Sequence, residues 1–456
     1  MTIQKLFKNR ELQKKIFRTI LLLVICRIGL FISIPGIDRN QVLHAFQKTT
    51  GESNTLFHLV DVFSGGAFSQ MTIMALGIMP YISASIAVQL LLILFPALQR
   101  EVKETPELGR RKVQKYTRFF TIVLSIVQAA AFALYALDLN QSYPGIISRE
   151  LLRSTLFHIP IIFYAIVIVT MTTGTFFLMW MGEQISDRGI GNGISLLIGA
   201  NVLSSFPSGV KLVIQKMQLE SQERGDLSLF TLGLFFLIFV GIILSTVLII
   251  QGQRKISLQY ARRVVGRREV QGAGAAYLPL KVNYAGVIPV IFASALLMFP
   301  MTIARFLGEG GVPGWLSRVF SQNSTLYMIS YGLLIVFFTY FWTATQFHPE
   351  QIVSEMRRGG AFIPGVKQGK ATQKFLEETM SRVTFIGAFF LAFIALFPLL
   401  ISRMFQIDPA LRPFFGGTSL LILVGVILDT KQQIESHLLL DRYDRITMGR
   451  KTSLSR

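Results

Sequence analysis

Ten apolar runs recur along the chain, and polar segments separate them. An α-helix needs about 20 consecutive apolar residues to cross the hydrocarbon core of a bilayer. The pattern therefore predicts an all-α polytopic membrane protein with ten transmembrane helices. The predicted spans are 17–36, 73–96, 119–137, 156–181, 193–214, 229–251, 283–302, 325–347, 383–402 and 416–434.

The stretch from Val60 to Pro96 departs from this simple pattern. Its second part, from about Ile73, is apolar enough to span a membrane, whereas its first part is polar and rich in glycine. The interrupting residues are Ser64, Gly65, Gly66, Ser69 and Gln70. Irregular backbone at membrane depth is tolerated only inside protein or beside a water-filled cavity. The stretch therefore predicts a half-inserted segment joined to a full helix, next to a cavity.

Lysine and arginine are concentrated in alternate loops. The basic segments are the N-terminal tail and residues 97–118, 252–282 and 346–382. Because basic loops remain on the cytoplasmic side, this distribution predicts that both termini are cytoplasmic. Ten spans divide into five and five, and two similar halves with an odd number of spans must be inverted relative to each other. We therefore expect an N-terminal half over 1–215 and a C-terminal half over 216–456.

Two of the basic segments, 252–282 and 346–382, are too long to be simple connections between helices. Residues 256–260 alternate apolar and polar side chains, which predicts a short strand followed by a turn. Orientation in the membrane explains why these loops carry positive charge, but it does not explain their length. The arginines near the predicted turn suit phosphate contacts on RNA or an acidic protein surface. They are Arg262, Arg263, Arg267 and Arg268.

Composition and motifs argue against chemistry carried out by this chain. Hydrophobic residues make up 52% of it and charged residues 15%, with a net charge of +20 that favours anionic lipid, nucleic acid or an acidic protein as partners. The sequence has no Ser/His/Asp set or paired carboxylates, and its five histidines lack metal-ligand spacing. The glycine-rich run 189–193 follows a predicted helix rather than a strand, so we interpret it as a tight turn. No enzymatic activity, cofactor or metal is expected.

A few polar side chains fall inside predicted spans. Gln89 and Gln128 are either interhelical hydrogen-bonding groups or a latch between helices that can part. Arg27 and Asp429 are intramembrane charges, which are functional hypotheses by default, although snorkelling or a backbone hydrogen bond would also explain them. One function that would fit a polytopic membrane protein with a cavity is that of a secondary solute transporter. It would be expected to carry ion-binding groups near the midplane, and little beyond these two charges is present.

Several longer motifs resemble the SecY family of protein-conducting channels. They are PheSerGlyGlyAla (63–67), AlaLeuGlyIleMetProTyrIleSerAlaSerIle (75–86), GlyGluGlnIle (182–185), ArgGlyIleGlyAsnGlyIleSer (188–195), LeuProLeuLysValAsnTyrAlaGlyValIlePro (278–289), GlyGlyAlaPheIleProGly (359–365) and GlyGlyThrSerLeuLeuIle (416–422). The resemblance covers essentially the whole chain in order. It implies an hourglass channel at the centre of ten helices, through which unfolded secretory polypeptides cross and from which transmembrane helices leave sideways.

The resemblance also implies roles for individual residues. A ring of apolar side chains would seal the constriction, and its matches are Ile78, Ile82, Ile194, Ile198, Ile291 and Ile422. A plug would close the exit, and its match is about 61–72, with Asp61, Phe63, Ser64, Gly65, Gly66 and Phe68. Gln89 and Gln128 would lie at a lateral gate formed by spans two and three against spans seven and eight.

The partners implied by the resemblance are the SecE and SecG subunits, the motor ATPase SecA, the ribosome through its rRNA, and the unfolded preprotein. Ribosome and SecA would bind the two long loops, through the four arginines near the turn together with Arg357, Arg358 and Lys367. The family usually has arginine where this chain has Lys367, and lysine cannot make a bidentate contact. The expected location is the bacterial cytoplasmic (inner) membrane, with anionic lipid around the basic loops.

Overall fold

A computed structural model of the chain describes residues 10–49, 55–95, 106–153, 160–224, 227–260, 263–265, 268–270, 276–306, 324–404 and 417–454. Most of these residues are helical. The helices before residue 225 are α1 (Arg10–Gly29), α2 (Arg39–Thr49), α3 (Thr55–Ser64), α4 (Met79–Leu94), α5 (Pro106–Ser142), α6 (Arg149–Arg153), α7 (Ile161–Arg188) and α8 (Gly193–Arg224).

The second part of the chain adds five strands among its helices. Its elements are α9 (Leu227–Gln251), β1 (Gln253–Tyr260), β2 (Arg263–Val265), β3 (Arg268–Val270), β4 (Ala276–Lys281), α10 (Ile288–Phe306), α11 (Thr325–Gln346), α12 (Pro349–Gly359), β5 (Ala361–Phe362), α13 (Lys370–Met404) and α14 (Gly417–Leu454). The expectation of an all-α protein is therefore wrong for the five short strands, which lie among the helices between α9 and α13.

Several helices suit a membrane. By length and composition, four stretches among the described residues could cross one: Arg111–Ser142, Ile161–Arg188, Thr325–Gly359 and Lys370–Ile401. Shorter apolar helices are Met79–Leu92, Gly193–Pro207, Phe236–Gln251 and Ile288–Leu297. Large apolar side chains cover outward faces, and Phe17 and Phe389 are both more than half exposed. Such surfaces are stable against lipid rather than water.

The second predicted span, 73–96, is helical only from Met79. Gly77 has φ +56°, a left-handed conformation that L side chains rarely adopt, and Pro80 stands in the first turn of α4. Proline suits this position because its missing N–H would be unpaired there anyway. Residues 73–78 therefore form turns that lead into the helix.

Helices from both parts of the chain meet at the centre. Helix α4 contacts α5 and α10, and α8 contacts α7 and α14. Their buried side chains belong to one apolar cluster, called here the central cluster, which includes Met79, Leu197, Val290 and Leu421. A second one, the flanking cluster, lies between α2, α5 and α7 and includes Val42, Phe132, Ile147 and Phe163. The central cluster thus brings together buried residues of α4, α8, α10 and α14.

The two long loops form one folded unit. Strand β1 pairs antiparallel with β4, from Gln253 opposite Lys281 to Leu258 opposite Ala276, which confirms the strand predicted at 256–260. Its last residues pair with β5, with Gln259 opposite Phe362. A third apolar cluster, the loop cluster, holds the unit together: Ile256, Leu258, Leu280, Phe347, Met356, Ala361, Ile363, Leu376 and Met380. The two long basic segments are therefore joined by strand pairing and a shared core.

Candidate functional site

Five of the six isoleucines singled out in the sequence are buried members of the central cluster, and the sixth, Ile194, packs against it. Ile78 and Ile82 lie at the start of α4, Ile194 and Ile198 in the first turns of α8, and the remaining two on α10 and α14. Five of them are less than 5% exposed, whereas Ile194 is half-buried. Four helices thus contribute isoleucines to one apolar centre, and these six side chains offer no hydrogen bonds. Its role as a pore ring stays a prediction.

The turn before α4 places the first of these side chains. Ile78 occupies the N-cap position of α4, and its carbonyl accepts a hydrogen bond of 3.1 Å from the N–H of Ile82. A Cβ built on Gly77 would come 3.3 Å from the Cα of Ser64. The entrance to α4 therefore rests directly against the end of α3, where segment 61–72 begins.

Segment 61–72 starts with a compact helix end. The N–H of Gly66 donates to the carbonyl of Asp61 at 2.8 Å, and the N–H of Gly65 donates to the carbonyl of Val62 at 3.2 Å. Both glycines have positive φ, +71° and +88°. This pair of bonds is the Schellman arrangement, which ends a helix by turning the chain through a left-handed residue. The glycines predicted to break the span therefore terminate α3.

Side chains within the segment hold its fold. The Asp61 carboxylate accepts a hydrogen bond from the N–H of Ser69 at 2.8 Å. The Ser64 hydroxyl donates to the carbonyl of Asp61 and accepts from the N–H of Phe68, each at 3.1 Å. Ser64 is 1% exposed. Because these polar groups are paired locally, the segment can be buried without a large desolvation cost.

The segment is also bonded to the chain that follows α1. The N–H of Ile73 donates to the carbonyl of Ile32 at 3.0 Å, and the N–H of Ile34 donates to the carbonyl of Met71 at 3.2 Å. The Arg39 guanidinium donates to the side-chain oxygen of Gln70 at 2.5 Å. The end of segment 61–72 that leads to α4 is therefore fixed mainly by backbone pairing.

Two polar side chains reach the other end of the segment, at α3. The Asn201 side-chain N–H donates to the carbonyl of Phe63 at 2.9 Å, and the Arg27 guanidinium donates to the carbonyl of Gly65 at 3.4 Å. The contact of Arg27 is the backbone hydrogen bond that sequence analysis names as one explanation of this charge, whereas sequence analysis does not identify Asn201. An amide inside an apolar span was the available signal for Asn201.

The two glutamines predicted at the lateral gate lie on helices in contact, α4 and α5. The Gln89 side-chain N–H donates to the hydroxyl of Ser85 on its own helix at 3.1 Å. Its side-chain oxygen is buried without a hydrogen-bond partner among the described residues. Gln128 is half-buried. The structure therefore gives Gln89 an intrahelical partner, and a latch role for this pair stays a prediction.

The predicted binding residues of the long loops are only partly described. Arg262 and Arg267 lie outside the described residues, whereas the backbones of Arg263 and Arg268 belong to the antiparallel strands β2 and β3. Arg357 and Arg358 are exposed in the last turn of α12, where positive charge complements the helix dipole. Lys367 is also exposed. Arg357, Arg358 and Lys367 thus point to solvent around the loop cluster.

The glycine-rich run 189–193 is a turn, as predicted. The N–H of Ile190 donates to the hydroxyl of Thr19 at 3.0 Å, and the N–H of Gly191 donates to the Gln433 side chain at 2.8 Å. The N–H of Gly193 donates to the hydroxyl of Ser186 at 2.9 Å. These N–H groups already have partners within the protein, so they are not available to a phosphate. The turn ties α1, α7 and α14 together at the start of α8.

Comparison with known proteins identifies the family. The model of the SecY family matches residues 72–431. The protein translocase subunit SecY of Chlamydia muridarum is 53% identical over 98% of this chain and 97% of its own length. That of Escherichia coli K12 is 39% identical over 95% and 93%.

Solved structures share the fold. One, described as "The structure of a protein conducting channel", has a TM-score of 0.66 at 21% identity and covers 93% of this chain and 92% of its own. Another, "Sec61 in the Canine ribosome-channel complex from the endoplasmic reticulum", has a TM-score of 0.58 at 20% identity with the same coverage. Relatives this similar over nearly the whole length show that the chain belongs to the SecY family of protein translocase subunits.

Proposed function

We propose that this chain forms the channel of a bacterial Sec translocase, through which unfolded secretory polypeptides cross the cytoplasmic membrane. The observation that carries the proposal is the central cluster. Five of the six isoleucines from α4, α8, α10 and α14 share it with Phe63 of the plug segment, as segment 61–72 is called from here on, and the sixth packs against it. The relatives named above are translocase subunits, and nothing among them favours a secondary solute transporter.

The chemistry of the isoleucines suits a seal that must also let a chain pass. Branched aliphatic side chains offer no hydrogen bonds, so a narrow gap lined by them disfavours water and ions. They also have no fixed preference for particular cargo side chains, and they can change rotamer as a polypeptide enters. The ring therefore separates two aqueous spaces in the resting channel and yields to any sequence that is pushed through it.

The contact between α4 and α10 is the proposed lateral exit. A transmembrane helix in the pore would leave between them because lipid solvates it better than the channel does. The gain is roughly 0.3 to 0.6 kcal/mol for each Leu, Ile, Phe or Val at the helix centre. Gln89 and Gln128 lie on the α4–α5 side of this exit, where their polar groups would regulate the contact between helices.

The proposed topology has ten spans in two inverted halves, 1–215 and 216–456, with both termini cytoplasmic. The described helices overlap the predicted spans, and the basic segments fall on one side in this arrangement. The loop cluster and its exposed Arg357 and Arg358 would then lie in the cytoplasm. This supports a cytoplasmic surface that binds partners, with anionic lipid beneath it.

The energy for movement would come from those partners, because the sequence offers no catalytic set. We propose that the ribosome or the motor SecA docks on the unit built from β1, β4, β5 and α12, and that SecE and SecG complete the membrane complex. One structural neighbour was solved in a ribosome–channel complex, which supports the first of these partners. Basic side chains suit contacts with rRNA phosphates.

A disulfide crosslink tests the channel function directly. In a chain whose only cysteine, Cys26, is replaced by alanine, Ile291→Cys places a thiol in the central cluster. A secretory protein with one cysteine is then stalled during export, and an oxidant is added. We expect a crosslinked product, because the cargo must pass within bonding distance of the ring.

The matched control is Ile329→Cys in the same background, since Ile329 is 59% exposed on α11. It should remain uncrosslinked to cargo that crosses the membrane. Equal crosslinking at both positions, or none at Ile291 in an exporting channel, would contradict the proposed pathway.

A further inference from the structure

We propose that Arg27 and Asn201 form a catch that holds the plug segment at the end of α3, and that an entering polypeptide releases it. The inference rests on the proposed function, since it assigns a hold to the proposed plug. Both residues come from helices of the first part of the chain, α1 and α8, and both donate to backbone carbonyls at one turn.

The end of α3 leaves carbonyl groups for such a catch. The last carbonyls of a helix have no partner within the helix, and they need one from outside when they are buried. The Schellman turn satisfies the carbonyls of Asp61 and Val62. The next carbonyl, that of Phe63, is the one that accepts from Asn201 at 2.9 Å. Asn201 therefore completes the cap from a different helix.

Arg27 adds charge to the same point. Its guanidinium donates to the carbonyl of Gly65, one residue beyond α3, at 3.4 Å. The C-terminal end of a helix carries partial negative charge, so a cation beside it is stabilising. Arg27 is half-buried and Asn201 is 9% exposed, and both effects strengthen where water is scarce. The catch thus combines a neutral hydrogen bond with a charged one.

The absence of a side chain at Gly65 makes room for both donors. A Cβ at this position would come 2.7 Å from a guanidinium nitrogen of Arg27 and 2.9 Å from the side-chain oxygen of Asn201. Gly65 also has φ +71°, which disfavours other residues. The turn is therefore shaped so that two side chains from different helices reach neighbouring carbonyls.

The catch has a natural means of release. If the plug segment leaves, Arg27 and Asn201 lose their acceptors and become unpaired donors beside the pore. An unpaired buried donor is costly, and a polypeptide in the pore supplies backbone carbonyls of the same kind. Cargo can therefore exchange its own carbonyls for those of Phe63 and Gly65. The plug segment would then be released because cargo carbonyls replace its own as acceptors. Separation of the helices would not be needed for this release.

The position of the catch separates two movements. Helices α1, α3 and α8 all precede residue 225, and α3 contacts α8. Parting of the first and second parts of the chain, as at the α4–α10 contact, does not by itself break either hydrogen bond. The plug segment should therefore travel with the first part until cargo reaches Arg27 and Asn201.

Ion conductance of the resting channel in a planar bilayer tests the catch. The full chain is used, purified with the membrane subunits proposed above. Asn201→Ala and Arg27→Gln should each raise resting conductance on the order of tenfold, because a lost hydrogen bond of this kind shifts the closed–open equilibrium by about that factor. Arg27→Lys keeps the charge and should give a smaller rise.

Matched controls are available on the same helices. Ser204→Ala removes a hydroxyl on α8 whose hydrogen bond, within the described part of the chain, is to the backbone carbonyl of Asn201 on the same helix. Arg18→Gln removes an exposed arginine on α1. Neither should change resting conductance. A rise as large in the controls as in the catch variants would overturn the proposal.

Deletion of residues 61–72 distinguishes the catch from the plug itself. If the catch acts through the plug segment, Asn201→Ala should add nothing to the conductance of the deletion channel. An additive rise would mean that the substitution damages the seal elsewhere, and the catch would be excluded. If the deletion raises resting conductance, but Asn201→Ala and Arg27→Gln in the full-length chain do not, the catch is wrong and the plug assignment stands. If the deletion changes nothing either, the plug assignment fails too.

Discussion

Phe63 and Phe68 are five residues apart, yet their rings lie in different apolar clusters. Phe63 belongs to the central cluster with five of the six isoleucines, whereas Phe68 belongs to the flanking cluster. The ring of Phe68 is 5.2 Å from that of Phe132 in an edge-on contact and 5.9 Å from that of Tyr135 in a stacked one. The plug segment is therefore anchored on two sides, and each anchor can be removed separately.

Phe68→Ala should loosen the anchor on the flanking side. Loss of a buried phenylalanine costs about 3 to 5 kcal/mol when the site cannot collapse. Part of that loss should appear as a lower midpoint of thermal unfolding, and part as a higher resting conductance. The control is Phe119→Ala, since Phe119 is 61% exposed on α5. Unchanged stability and conductance in Phe68→Ala would show that this contact does not hold the segment.

Joint replacement of Ile82, Ile194 and Ile291 by serine should make the closed channel leak ions. Hydroxyl groups in the constriction would hold water there, whereas the isoleucines disfavour it. The measurement is single-channel conductance of the reconstituted protein without cargo. Serine at three exposed isoleucines, Ile20, Ile126 and Ile329, is the matched control and should leave the seal intact. A triple variant as tight as the parent would remove the pore-ring assignment.

Replacement of Arg262, Arg263, Arg267 and Arg268 by glutamate should weaken ribosome binding while the protein still inserts into the membrane. Phosphate contacts release counterions, so the loss should be accompanied by a shallower dependence of affinity on salt concentration. Titration of ribosomes against reconstituted channels at several salt concentrations measures both. Full affinity in this variant would leave these charges with a role in membrane orientation alone.

The hydrophobic pattern and the motifs were sufficient to predict the family and the approximate positions of the apolar helices. The predicted span 325–347 matches α11 closely, because length and hydropathy directly reflect the bilayer. The predicted span 156–181 overlaps α7, but the helix begins and ends later, at Ile161 and Arg188. Helices that leave the apolar layer were underestimated. Helix α5 extends over Pro106–Ser142 where the pattern predicted 119–137, since its polar turns carry no periodic apolar signal at that length.

The parts that could not be predicted depend on contacts between distant segments. The pairing of Gln259 with Phe362 joins residues about a hundred positions apart, and neither strand reveals its partner. For Arg27 a backbone hydrogen bond is among the explanations that the sequence suggests, but no side-chain pattern can show that the acceptor is the carbonyl of Gly65. The start of α4 at Met79 required the backbone conformation of Gly77, whereas the sequence showed only that glycine was present.

The joining of the two long loops has a mechanical consequence. Strand β1 follows α9 directly, β4 leads into α10, and β5 lies between α12 and α13. A force applied anywhere on this sheet is therefore shared by several helices of the second part of the chain. Helices α1 and α8, whose side chains bond the plug segment, are joined directly to no described strand of that sheet. If a partner docks on this sheet as proposed, a pull on it would displace helices of the second part of the chain relative to those of the first.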